Sequence, residues 1–122
     1  MSHKKLLISD FLGHIQESIE RIQRYTCDLD ESGFLSNSLV QDGVIRNFEI
    51  IGEASRNIER NYPDFAAEHS YLPLIDAYDM RNALSHGYFN VDLEVVFRTV
   101  ERDLPQLHIQ IVHLISMLNQ TP

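Results

Sequence analysis

Apolar residues recur along this chain at steps of three and four, the spacing that gathers them on one face of a helix. In the first segment Ile8, Phe11, Leu12, Ile15, Ile19 and Ile22 form such a stripe. Ser9 or Asp10 can cap its start, or the helix can begin nearer Ser2, and the polar stretch 27–33 ends it. A second stripe runs Val40, Val44, Phe48, Ile51, Ala54 or Ser55, and Ile58, with Ser36 or Asn37 as its cap. Asn61-Tyr62-Pro63 closes it, because the residue before a proline is pushed out of the helical region. A short irregular piece follows, with one turn around residues 64–68.

Pro73 suits the first position of a third helix, which runs to about Ser85 or His86. The last segment opens after Asn90-Val91-Asp92, with Asp92 as cap. Leu93, Phe97, Val100, Leu104, Leu107, Ile111, Leu114 and Leu118 then alternate at four and three, the pattern of a helix packed along a bundle seam. That seam can serve the protomer core or a dimer. Pro105 interrupts it and predicts a kink or a break. No stretch alternates as a strand does. The expected fold is all-α: an antiparallel four- to five-helix bundle, one domain over residues 1–122, with the last helix kinked or broken near Pro105.

Composition adds three constraints. A hydrophobic fraction of 43% with 23% charged residues describes a chain able to form a packed core. The one cysteine, Cys27, cannot make an internal disulfide and has only Arg24 as a basic neighbour, so neither a staple nor a reactive thiol is expected. No apolar run reaches the roughly 20 residues of a membrane span, and the one after the basic start is too short for a signal peptide. A cytoplasmic protein with no membrane partner is the expectation. The net charge of −8 excludes a broad phosphate-tracking surface. If this chain handles RNA, it must do so through a local basic cluster or with a second subunit.

Several chemistries are absent from the sequence. There is no Gly-x-x-x-x-Gly-Lys-Ser/Thr loop and no Gly-x-Gly-x-x-Gly, so those phosphate cradles are missing. One cysteine excludes a cysteine-rich zinc knuckle, and no histidine has an acidic residue three positions before it, as a di-iron bundle requires. Asp10 and His14, an i,i+4 pair, read as a local surface contact. No metal and no cofactor is expected. His108 and His113 lie five apart, a poor spacing for shared ligation, and read as solvated or interfacial; Tyr78 and Met80 read as packing residues.

The segment Arg81-Asn82-Ala83-Leu84-Ser85-His86-Gly87-Tyr88 is different. On a continuous helix the Arg81 and His86 side chains diverge by roughly 140°. Gly87 is the residue type that ends helices, so His86 falls in the final turn and Tyr88 in the loop beyond, and both can swing beside Arg81. There the helix dipole favours protonated histidine. A histidine can move protons to and from a ribose hydroxyl or a leaving oxygen, and a guanidinium can hold the scissile phosphate through paired hydrogen bonds. Equally, Arg81, Asn82 and His86 can simply cap and solvate a helix C-terminus. Arg46 and Glu53, seven apart on one helical face, can line the same cleft or make ordinary polar contacts between helices.

The motif Arg81-x4-His86-x-Tyr88, with Asn82 directly after the arginine, resembles that of the HepT-like HEPN toxins. Asp42, Arg46 and Asn47, followed by Ile50-Ile51-Gly52-Glu53-Ala54, resemble the second-helix signature of that family, and Phe89-Asn90-Val91-Asp92 its continuation after the tyrosine. The similarity covers about residues 11–107. It implies an all-α bundle that forms a homodimer, whose two motifs meet in a composite cleft that cleaves RNA without a metal. It also implies the toxin half of a type VII-like toxin–antitoxin pair. The partner is then an MntA-like minimal nucleotidyltransferase antitoxin that adds AMP to the motif tyrosine. Carried over by position, Arg81 and His86 are catalytic, Asn82 supports them, and Tyr88 is the modification target; Arg46 and Glu53 are the further supporting candidates, on their shared helical face alone. The alternative is a helical partner and substrate of a nucleotidyltransferase with no turnover of its own. The chain departs from the family locally: Asp76-Ala77-Tyr78-Asp79-Met80 replaces the common preceding glycine, and no second basic residue lies within the motif. Asp79 can therefore pair with Arg81 or depress the positive potential of the cleft.

Overall fold

The computed structural model describes residues 7–72 and 92–120. Within them the chain is all helical, in six segments: α1 (Ile8–Thr26), α2 (Glu31–Leu35), α3 (Ser38–Asn61), α4 (Pro63–Glu68), α5 (Leu93–Arg102) and α6 (Leu104–Gln120). The third helix expected from Pro73 onwards lies outside the described residues.

Each boundary has a local cause. At the start of α1, Asp10 is not the cap but the N3 residue. Its carboxylate reaches back to accept the Leu7 backbone N–H at 2.8 Å, which satisfies a donor left open at the helix start. Asn37 caps α3 by accepting from Val40 N at 3.1 Å, and Asp92 caps α5 by accepting from Glu94 N at 3.0 Å and Val95 N at 3.3 Å. Pro63 stands at the first turn of α4, where its missing N–H costs nothing. The expected interruption near Pro105 is a full break. Helix α5 stops at Arg102, Asp103 turns the chain, and α6 restarts with the proline in its first turn.

The polar stretch after α1 hides an element that periodicity did not reveal. Asp30 accepts from Gly33 N at 2.7 Å and starts α2, and the Gln41 side chain donates to the carbonyls of Phe34 and Leu35 at its far end. This single turn carries Phe34, which is fully buried and packs its ring 5.4 Å from that of Phe97 on α5. With Phe34 its one buried residue, this turn has no apolar stripe for periodicity to detect.

Helices α1 and α3 are antiparallel. Phe11 and His14 share a groove with Ile50 and Ala54, while Tyr25, at the other end of α1, lies against Gly43. A Cβ on Gly43 would stand 3.2 Å from the Tyr25 ring, so the glycine permits this close approach of the two helices. The stripes predicted from the sequence all face inward: Leu12, Ile15, Ile19, Ile22, Val44, Ile51, Ile58 and Ile111 are buried to within a few per cent. The seam of the last segment joins the same core, with Phe97, Val100, Leu104, Leu107, Ile111 and Leu114 buried and Leu93 and Leu118 packed at its edge. It therefore serves the protomer. Among the described residues no helix is long and apolar enough to cross a membrane.

His108, half-buried, makes a contact between helices: its Nε2 lies 2.8 Å from Glu20 Oε2 and ties α6 to α1, with Gln16 Nε2 donating to the same oxygen at 3.0 Å. The bond from His108, then that from Gln16, with Arg24 nearby, holds the Glu20 carboxyl below the usual carboxylate range. A carboxyl depressed in the folded state contributes stability above its unfolded pKa and loses it as pH falls through the folded value. The melting temperature of Glu20→Gln should thus lie below wild type near pH 7 and converge with it towards pH 3. A gap that stays constant over that range in thermal melts would rule out this linkage.

Candidate functional site

The residues that the sequence places at the centre of the chemistry, Arg81, Asn82, His86 and Tyr88, lie outside the described residues, as do Asp79, Gly87, Tyr78 and Met80. The supporting pair does not. Arg46 and Glu53 sit two turns apart on α3 and both line one groove, of about 420 Å³, between the first turns of α1 and the middle of α3.

The groove is built by the same periodicity that builds the core. Helix α3 turns Val44, Phe48, Ile51 and Ile58 into the core, so the residues beside that stripe fall along its edge. Arg46, Glu49, Ile50, Glu53, Ala54 and Asn57 are those edge residues. From α1 come Phe11, nearly buried, and His14, exposed, whose rings meet edge to face with centroids 6.3 Å apart. Arg46 leans on Glu49 at 3.6 Å with its own side chain 71% exposed. At that exposure the pair holds little energy, and the guanidinium can turn to an incoming anion at small cost.

Three lining residues escaped the sequence reading. His14 was weighed only with Asp10, whose carboxylate serves the Leu7 N–H instead. Glu49 and Asn57 carry no signal of their own, being polar residues on a helix with many. What unites them is the packing of α1 on α3, which spacing within one helix cannot report. Among the described residues no group of three His, Cys, Asp or Glu side chains is placed to hold a metal ion. His113 is exposed, as expected, and Cys27 is exposed with its thiol directed to the Arg24 carbonyl at 3.3 Å.

Comparison with known proteins bears on the whole chain. The pattern described as "Ribonuclease HepT-like" matches residues 15–114, which include α3, the groove residues of α3 and the Arg81–Tyr88 motif. "Probable ribonuclease HepT" of Thermococcus cleftensis is 42% identical over 106 residues, covering 87% of this chain and 89% of that protein. "Gamma-glutamylcyclotransferase and putative RNase" of Methanocaldococcus jannaschii is 37% identical over 110 residues, 90% of this chain. The chain spans about half the length of that relative, 48%. A further protein of the same organism, named a putative RNase, is 35% identical over 100 residues and covered to 89% of its length. No solved structure matches. With the matched pattern running through most of the chain, and a relative 42% identical along nearly its full length, this chain belongs to the HepT-like ribonuclease family.

Proposed function

We propose that this protein is an endoribonuclease that cuts RNA without a metal ion, acting as a homodimer whose two motifs form one cleft. The motif Arg81-x4-His86-x-Tyr88, inside the region matched by the family pattern, is the observation that carries this reading. In it Arg81 holds the scissile phosphate through two parallel hydrogen bonds and offsets the charge that builds on it. His86 takes the proton of the ribose 2′-hydroxyl, whose oxygen attacks the neighbouring phosphorus. The P–O5′ bond breaks and the departing oxygen takes that proton back from His86, which leaves a cyclic phosphate on one fragment. Asn82 orients this pair, and Arg46 and Glu53 extend the cleft along α3. A dimer doubles the local basic charge, which is how a chain of net charge −8 can hold a polyanion.

Control falls to Tyr88. A nucleotidyltransferase antitoxin of the MntA-like kind adds AMP to its hydroxyl, and the phosphodiester brings negative charge and bulk into the cleft. Two measurements test the whole reading. Purified unmodified protein should cleave RNA in excess EDTA; an absence of cleavage, or cleavage that demands a divalent ion, would count against it. Intact mass after co-expression with the nucleotidyltransferase should rise by one or more AMP groups and stay unchanged for Tyr88→Phe. Modification of Tyr88 in a protein that never cleaves RNA would mark it as a mere substrate of the transferase.

A further inference from the structure

The groove between α1 and α3 is suited to a nucleobase. Its floor is apolar, made by Phe11, Ile50 and Ala54, with Phe11 and Ala54 almost wholly covered. The Phe11 and His14 rings stand at 87° to each other, so they form a corner in which one flat ring can lie against the exposed imidazole. The Glu49 carboxylate lines this space beside the Arg46 guanidinium that leans on it, and offers a hydrogen-bond acceptor there. The volume of about 420 Å³ lies within the range of small-molecule sites, about 300–1,000 Å³.

We propose that this groove seats one base of the RNA, stacked in the corner of Phe11 and His14 and read at its amino edge by Glu49. Adenine, cytosine or guanine is therefore favoured over uracil at that position. A carboxylate only accepts, and the exocyclic amines of those three bases donate to it. Uracil instead presents two carbonyls around a single N–H, so oxygen faces oxygen. Arg46, exposed at the rim, is the cation available to the phosphate of the same nucleotide. The inference takes its ligand from the ribonuclease reading, but its geometry comes from α1 and α3 alone.

Binding tests this apart from cleavage. Non-cleavable 2′-O-methyl tetranucleotides of A, C, G or U are titrated into the full-length protein, wild type and variants. A base-pairing contact of this kind discriminates by about 1–3 kcal/mol, so at least one amine-bearing oligomer should bind roughly 5- to 150-fold more tightly than oligo-U. Glu49→Gln should remove most of that preference, since an amide can present its donor to uracil. His14→Ala should weaken every amine-bearing oligomer and leave their order intact. Glu49→Ala, a second variant, should also narrow the preference without altering the circular dichroism. Equal binding of all four oligomers, binding of none, or a preference untouched by Glu49→Gln and Glu49→Ala overturns the proposal. Base preference without cleavage removes only the ribonuclease reading, whereas cleavage without base preference removes only this one.

Discussion

Replacement of His86 by alanine is expected to slow RNA cleavage by roughly 10²- to 10⁴-fold, the usual yield of one positioned acid–base group. Arg81→Ala should cost about 10²- to 10³-fold, since it removes donors aimed at charge that develops only in the transition state. Arg81→Lys should not rescue, because an ammonium cannot reproduce two parallel hydrogen bonds to one phosphate. His86→Gln keeps the size and polarity but cannot shuttle a proton near neutral pH, so it should resemble alanine. The bland alternative, in which these residues only cap a helix, makes a different forecast. Basic residues near a helix C-terminus contribute about 0.3–1 kcal/mol. On that view each variant lowers the melting temperature slightly and leaves cleavage as it was. Single-turnover rates on a defined RNA, measured beside thermal melts, separate the two outcomes.

The second large effect concerns the short helix α2. Phe34→Ala should destabilise the fold by about 3–5 kcal/mol, in the range of a buried aromatic truncation. The ring is fully buried and stacked near Phe97, so its loss opens a cavity against α5 that a five-residue helix is poorly placed to collapse. Domains of this size commonly have about 5–15 kcal/mol in total, so the variant should stand close to its unfolding limit. Leu39→Ala is the matched control: that leucine is 81% exposed and should change stability by no more than about 0.5 kcal/mol. Urea unfolding of the two proteins decides it, and equal midpoints would mean that α2 is an ornament on the bundle.

How far the sequence reached differs by element. The stripes of α1, α3 and the last segment were legible because a helix that buries one face must repeat its apolar residues at 3.6. The caps Asn37 and Asp92 and the break before Pro105 were legible because these residue types act within a few positions of themselves. Helix α2 was not, since one buried residue makes no period. Nor was the contact of His108, whose partner Glu20 is 88 positions away. For the site, the Arg81–Tyr88 motif and the α3 signature were readable as a resemblance, and the matched family pattern spans both stretches.

The sequence by itself determined the helical class, most boundaries, the inward faces and the family, all of which depend on short-range spacing. Only the tertiary structure decided which helices touch. It put α1 antiparallel to α3, spent the C-terminal seam on the protomer core, and drew His14 and Phe11 up to Arg46, Glu49 and Asn57. The physical reason is that a groove belongs to two helices at once. Its lining follows from the register at which their apolar stripes interlock, and no residue's neighbours along the chain encode that register.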